Sequence, residues 1–337
     1  MNGSPPTDRR SVLKRLGALG GSSLVTTSIA GCLDAADDGS ELTTTPAATA
    51  FEGVVDTAWL RDRLDDVSLL DVRDEGAFTD GHVPGAYRLP DTELLRDHYE
   101  ETSDGYEADP SVIADIVADA GITPDDDVVV YGEGSNLWET YAIYTLTAIG
   151  HEGTVALLDG GYRVWAAADG AIETGTPDSK SATYDPQLDM DVVATRSRVA
   201  ESVSADGAAV QLVDNRRPVE YYGTEEDDRV SRHGHIPGAI NVEFGQNLLR
   251  NGERLRDPEE LETLWFDDAG LDPSVETISY CTTAVRGSVG WFVMSQLGFE
   301  DVRNYEGSWY DWGTLTEADG YPYVTGEGRG TVIDTFA

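Results

Sequence analysis

The sequence predicts an α/β protein made of two tandem copies of one small domain, each a parallel sheet flanked by helices. Three observations lead there. Short apolar runs such as Leu69-Leu70 and Val128-Val129-Val130-Tyr131 alternate with helical patterns at Pro110 to Gly121 and Trp138 to Gly150, and strands covered by helices on both faces show such unbroken runs. Four segments recur in the same order. Leu69-Leu70-Asp71-Val72-Arg73 returns as Gln211-Leu212-Val213-Asp214-Asn215-Arg216, and Gly81-His82-Val83-Pro84-Gly85-Ala86 as Gly234-His235-Ile236-Pro237-Gly238-Ala239. Val128-Val129-Val130-Tyr131 matches Thr277-Ile278-Ser279-Tyr280, and Asp159-Gly160-Gly161-Tyr162-Arg163-Val164-Trp165 matches Glu306-Gly307-Ser308-Trp309-Tyr310-Asp311-Trp312. Finally, 337 residues with 40% hydrophobic content, 7 Trp, 15 Tyr and 7 Phe supply apolar surface for two cores and exclude a disordered chain.

In chain order, the first segment reads as an address. Residues 1 to 15 carry Arg9, Arg10, Lys14 and Arg15, whereas Leu16 to Gly31 holds no charged residue. That run is short for ~30 Å of hydrocarbon and suits a signal peptide. Arg9-Arg10 before Ser11-Val12-Leu13-Lys14 resembles a twin-arginine export signal, and Ile29-Ala30-Gly31-Cys32 resembles a lipobox. Residues 1–31 are expected to be the signal, with Cys32 carrying a lipid that anchors the protein at the outer face of the cytoplasmic membrane. Cleavage without lipid is the alternative. Residues 32–50, rich in Ser, Thr, Ala and Asp, read as a tether. The first copy is expected over 51–175, a polar linker with Pro177 and Pro186 over 176–189, and the second copy over 190–330.

Charge narrows the function. Lys and Arg total 23 against 63 Asp and Glu, a net charge of −40. A chain that acidic repels polyphosphate, so nucleic-acid binding through a basic surface is excluded, and a dispersed acidic coat suits work in high salt. Two cysteines cannot staple a secreted scaffold. The five histidines are scattered, which gives no metal cluster. Gly132-Glu133-Gly134 has Leu137 where a dinucleotide fingerprint needs Gly or Ala, so no cofactor is expected.

In parallel α/β sheets, ligands sit outside the carboxyl ends of strands, where strand turns to helix. In the second copy that turn is Tyr280-Cys281-Thr282-Thr283-Ala284-Val285-Arg286-Gly287-Ser288, before a helical run at Val289 to Leu297. Cys281 thus falls near a helix head, where turn N–H groups favour negative charge on sulfur. The first copy has Tyr131-Gly132-Glu133-Gly134-Ser135-Asn136-Leu137 there, with no cysteine.

The paired Asp-x-Arg and Gly-His-(Ile/Val)-Pro-Gly-Ala segments, the Cys-x-x-x-Val-Arg turn and the late Gly-rich Trp segment resemble the rhodanese family of sulfurtransferases in its two-domain form. The resemblance spans nearly the whole chain after the tether. It implies two tandem rhodanese-like domains, the first degenerate and the second catalytic through Cys281. The implied partners are a small anionic sulfur donor and a thiophilic acceptor. Cys281 would attack the donor's outer sulfur, become a persulfide and pass that sulfur to cyanide or a thiol. Small Thr282, Thr283 and Ala284 let the turn curl, Val285 completes it, and Arg286 can present positive charge to the donor. With no second cysteine in the domains, an internal disulfide cycle is closed.

Family members preferring thiosulfate often carry basic residues after the cysteine, and those preferring 3-mercaptopyruvate tend toward Cys-Gly-(Ser/Thr)-Gly. This turn follows neither pattern; Arg286, its one charge, leans toward thiosulfate. Asp214 and Arg216 read as a pair bracing the turn, since the first copy keeps Asp71 and Arg73. Tyr221, Arg217 and Trp309 are expected at the mouth. His82 and His235 sit in Pro-Gly turns and read as backbone-bonded. Glu220 falls where some two-domain relatives have a substrate-contacting arginine, which puts an electropositive pocket in doubt. Glu225-Glu226-Asp227-Asp228 reads as solvated coat. Two alternatives stay open. Cysteine phosphatases use a related turn with five residues between Cys and Arg, where this chain has four. A non-catalytic or protein-partnered persulfide relay at the cell surface is the other.

Overall fold

The computed structural model describes residues 51–89, 99–102, 105–177, 180–203, 210–249, 254–315, 320–326 and 331–333. The expected signal, the expected lipobox with Cys32 and the expected tether lie outside them. The first half comprises β1 (Val54–Val55), α1 (Thr57–Arg61), β2 (Ser68–Asp71), α2 (Glu75–Asp80), β3 (Tyr87–Arg88), β4 (Tyr99–Thr102), β5 (Gly105–Ala108), α3 (Pro110–Asp119), β6 (Val128–Tyr131), α4 (Leu137–Ala148), β7 (Val155–Leu158) and α5 (Gly161–Ala167). In the second half are β8 (Val193–Ala194), α6 (Arg196–Ser202), β9 (Gln211–Asp214), α7 (Pro218–Tyr221), β10 (Ile240–Asn241), a 3-10 turn (Phe244–Asn247), α8 (Pro258–Glu262) with a π turn (Thr263–Asp268), β11 (Thr277–Tyr280), α9 (Val285–Gln296), β12 (Val302–Tyr305), α10 (Ser308–Trp312) and β13 (Thr331–Val332).

The two halves share one topology. The first sheet runs β1-β7-β6-β2-β3, and the second repeats that order as β8-β12-β11-β9-β10 with β13 added beyond β10. All pairings in both sheets are parallel. The central registers also match: Asp71 faces Tyr131, and Asp214 faces Tyr280. Apolar runs make this possible, because Leu69, Leu70, Val128 to Val130, Leu157 and Leu158 are buried under helices on either face. Several acidic residues close helix ends rather than coat the surface. Asp56, Asp74 and Asp109 each accept a first-turn N–H, and Asp109 is followed by Pro110 at the first helical position.

Three details differ from the sequence reading. Helix α9 starts at Val285, four residues before the expected Val289, because Ala284 already turns the chain into the helix. The expected linker is docked along the first half: Ala182, Gln187 and Asp189 donate backbone bonds to Ala118, Ile149 and Ala148. Its Tyr184 is buried and its hydroxyl lies 2.9 Å from Nδ1 of His151. The antiparallel β4–β5 hairpin and β13 had no sequence expectation.

Helices α4 and α9 join the halves. Thr140 and Ser288 occupy equivalent places in the two helices, and their hydroxyls meet at 3.1 Å. Next to them the Tyr144 and Trp291 rings pack edge to face at 5.3 Å, and the Tyr144 hydroxyl donates to Glu306 at 2.9 Å. One apolar cluster, including Tyr141, Tyr144, Val285, Trp291 and Phe292, runs through both halves. Both helices are therefore buried nearly all round, against a sheet on one side and each other on the other.

Candidate active site

Cys281 to Ala284 form the turn from β11 into α9, at the carboxyl edge of the second sheet. Cys281 is a buried free thiol. Ala284 closes the turn with φ +65°, a left-handed conformation that costs a residue bearing a Cβ roughly 1–2 kcal/mol. The cost is offset by bonds to the head of α10. Ser308 Oγ accepts from the amides of Cys281 at 3.2 Å and Ala284 at 3.0 Å, while donating to the Tyr305 carbonyl at 2.7 Å. The amides of Trp309 and Tyr310 bond the carbonyls of Cys281 and Thr282, each at 2.9 Å. The amides of Thr282, Thr283, Arg286 and Gly287 find no acceptor among the described residues. A curled turn with spare N–H groups at a helix head is the backbone form of an anion cradle.

Buried charge supports the turn from beneath. Arg216 Nη2 reaches Asp214 at 2.5 Å and the Gly234 carbonyl at 2.7 Å, and its guanidinium stacks 4.6 Å from the Trp309 ring centroid. The first half repeats this with Arg73 on Asp71 and on the Gly81 carbonyl, both at 2.7 Å, over the Tyr162 ring. Asp214 and Arg216 therefore hold the strand end and Trp309, which in turn bonds Cys281. His82 and His235 bond backbone carbonyls of Phe78 and Tyr221 through Nδ1.

At the mouth, Arg286 is already engaged. Its Nη1 and Nη2 donate to the two carboxylate oxygens of Glu220 at 2.7 and 2.9 Å, and Nη2 also donates to Thr282 Oγ1 at 2.6 Å. Glu220 is held in place from its own helix α7, accepting from the Arg217 amide at 3.1 Å and Arg217 Nε at 2.9 Å. Arg217 reaches on to Glu225 at 2.5 Å. Burial pushes the Glu220 carboxyl upward, but bonds from Arg286 and Arg217 outweigh it and hold the group down at about 2. Burial likewise opposes the Arg286 charge, and Glu220 with the nearby Cys281 sulfur more than restores it.

The degenerate turn of the first half is closed by a carboxylate. Glu139, buried within α4, accepts from the Gly134 amide at 3.2 Å. A Cβ at Gly132, the counterpart of Cys281, would collide with that carboxylate. Burial raises the Glu139 carboxyl above its ordinary range. Gly287, the equivalent residue in α9, carries no carboxylate, and a Cβ there would instead meet Asn304 Oδ1 and the Tyr280 backbone.

A family model described as a rhodanese-like domain matches twice, over residues 56–168 and 197–315. The chain belongs to the rhodanese family. A thiosulfate sulfurtransferase of Corynebacterium glutamicum is 35% identical over 288 residues, spanning 82% of this chain and 91% of the relative. The sulfur carrier protein TtuD of Thermus thermophilus is 32% identical, spanning 82% of this chain and 98% of that protein. Among solved structures, the 3-mercaptopyruvate sulfotransferase SseA of Escherichia coli superposes with a TM-score of 0.66 at 26% identity, covering 76% of this chain and 98% of that one.

Within this rhodanese fold the expected site residues fall into separate groups. Cys281, Thr282, Thr283 and Arg286 meet at the turn. Ala284 and Val285 contribute backbone only, since their side chains are buried in the core shared by the two halves. Tyr221 does not line the mouth: its ring stacks 3.6 Å from His235 and its hydroxyl donates to the Ala239 carbonyl, so packing draws it inward. Trp309 is buried beneath the turn rather than at the mouth. Arg286 does not offer a free charge, because Glu220 takes it. Glu225 and Asp227 are more than coat, pairing with Arg217 and Arg229. Ser308 and Glu139 belong to the two turns although no chemical motif in the sequence marks them. Ser308 is legible as the departure from Gly161 in the repeat, whereas Glu139 falls opposite Gly287 only once α4 and α9 are aligned by their left-handed caps Asn136 and Ala284. Among the described residues no group of His, Cys, Asp and Glu could hold a metal ion, and no helix is long and apolar enough to cross a membrane.

Proposed function

We propose that this rhodanese-type sulfurtransferase carries sulfane sulfur on Cys281, taking it from thiosulfate and giving it to cyanide or a thiol. The reading rests on one observation above all: the single cysteine of the two domains sits in a curled turn at a helix head, where the amides of Thr282, Thr283, Arg286 and Gly287 have no acceptor among the described residues. The Cys281 thiolate attacks the outer sulfur of thiosulfate, a new S–S bond forms, the donor S–S bond breaks, and sulfite leaves with the electron pair. An acceptor then attacks the terminal sulfur, and Cys281 departs as thiolate. The spare amides of Thr282, Thr283, Arg286 and Gly287 are suited to hold the charge on the terminal sulfur between the two steps.

3-Mercaptopyruvate is the other donor that fits, and the name of the Escherichia coli neighbour supports it. The Thermus relative, named a sulfur carrier, supports relay to a protein acceptor. Intact-mass analysis tests the common step. Reduced protein treated with donor gains the mass of one sulfur, cyanide removes it, and Cys281→Ser shows neither change. Reduced wild type that never gains sulfur from any small donor, yet gains it from a persulfidated protein, assigns the chain to relay instead.

The same measurement on protein purified from its native membrane addresses location. We propose export through the twin-arginine-like segment and anchoring through Cys32 on the outer face of the cytoplasmic membrane. The expected mass begins at Cys32 and includes a lipid; a chain retaining residues 1–31 overturns this.

A further inference from the structure

A row of alternating charges crosses the mouth of the site: Glu225, Arg217, Glu220, Arg286. Its members come from α7 and its N-cap, the following loop and α9, so the row exists only in the folded chain. Arg286 is the one cation belonging to the cysteine turn itself, and the nearest to Cys281 in sequence. Both its terminal nitrogens are spent, on the two oxygens of Glu220 and on Thr282 Oγ1. The Thr282 hydroxyl is tied into the same group, lying 3.3 Å from Glu220 Oε1. Glu220 cannot swing away cheaply, because the Arg217 amide and side chain hold it from behind. An incoming anion therefore meets a neutralised arginine and a fixed carboxylate.

Resting on the sulfurtransferase reading for what enters the site, we infer that Glu220 is a specificity-determining residue that discriminates against doubly charged donors. It does so by cancelling Arg286 rather than by touching the sulfur. The favoured donors are those carrying one negative charge or none near the transferred sulfur. Thiosulfate is accepted at a handicap that Glu220 imposes.

Removing one charge about 4 Å away in a water-like medium changes a unit charge's encounter by roughly fivefold, and a dianion's by roughly 25-fold. Glu220→Gln is thus expected to raise kcat/KM by about fivefold for 3-mercaptopyruvate, a monoanion, and by ~25-fold for thiosulfate, a dianion. A readout independent of sulfur transfer uses alkylation of Cys281 by iodoacetate and by neutral iodoacetamide at low salt. The ratio of the two rates should rise about fivefold in Glu220→Gln and fall by a similar factor in Arg286→Gln, with the double variant near wild type. If Glu220→Gln does not fold, Glu220→Ala takes its place in the same ratio, since Arg286→Gln alone would lower the ratio whether or not Glu220 cancels it. An unchanged alkylation ratio in the folded variants overturns the assignment, as does an equal gain for both donors. A ratio that moves as expected, in protein that takes sulfur from neither donor, leaves Glu220 its role and overturns the small-donor reading instead.

Discussion

Ser308 stands where the first copy has Gly161, and both adopt positive φ, +50° and +58°. A Cβ at Gly161 would strike the Gly132 carbonyl, so the first copy requires glycine there. In the second copy the side chain is retained because its oxygen holds the turn, accepting from the amides of Cys281 and Ala284. Ser308→Ala leaves both amides buried without an acceptor, at ~1–3 kcal/mol each. The expected result is a lower thermal midpoint and a fall in sulfur transfer of at least tenfold. Ser308→Gly relieves the backbone but not the amides, so it should recover part of the stability and little of the activity. Melting curves and sulfite release from the two variants check this; full activity in Ser308→Ala would contradict the role. Glu139 makes the complementary case. Its carboxylate fills the space beside Gly132, so Gly132→Cys alone should destabilise the first half and create no second reactive thiol, as counted by alkylation.

At the scale of elements, the carboxyl ends of β7 and β12 both place acids at the contact between halves, Asp159 and Glu306. Asp159 Oδ1 accepts from the Leu255 amide at 3.0 Å, tying β7 to the segment before α8. Burial dominates its titration and raises the carboxyl to about 6, with Asp257 and Asp56 adding to the rise while the Leu255 amide and Arg254 oppose it. Because the folded value lies above the unfolded one, Asp159 favours folding fully below pH ~4, and that contribution is lost as pH climbs through about 6. The whole effect is on the order of 3 kcal/mol. Denaturant titrations at pH 4.5 and 7 should therefore show wild type losing stability relative to Asp159→Asn as pH rises. A difference between the two that is flat across that window would contradict the buried, proton-linked contact. The α4–α9 pair sets a second expectation. Tyr144→Phe removes the bond to Glu306 and should lower stability by about 1–3 kcal/mol, read from the same titrations, without changing the Cys281 alkylation rate.

Over the whole molecule, the net charge of −40 acts on every encounter with an anion. Added salt screens that repulsion, so the rate with thiosulfate should increase with ionic strength in folded protein, more steeply than the rate with a monoanion. A rate falling steadily with salt would contradict this. Part of the acid is also structural, as the aspartate caps of α1, α2 and α3 and the Asp71–Arg73 and Asp214–Arg216 pairs show. The repeat, the parallel sheets and the place of Cys281 at a strand-to-helix turn were legible in the sequence, because each is written in contiguous residues whose spacing sets local backbone form. The Cys281 turn could be found for that reason, and so could its loss at Gly132. What the tertiary structure decided lies between distant residues. It paired Glu220 with Arg286 across 66 positions, drew Tyr221 inward onto His235, and brought Thr140 against Ser288 at the contact of the halves. Spacing along a chain determines which way a strand or helix faces. Which carboxylate neutralises which guanidinium depends on how separate elements pack, and that is settled only when the two cores close.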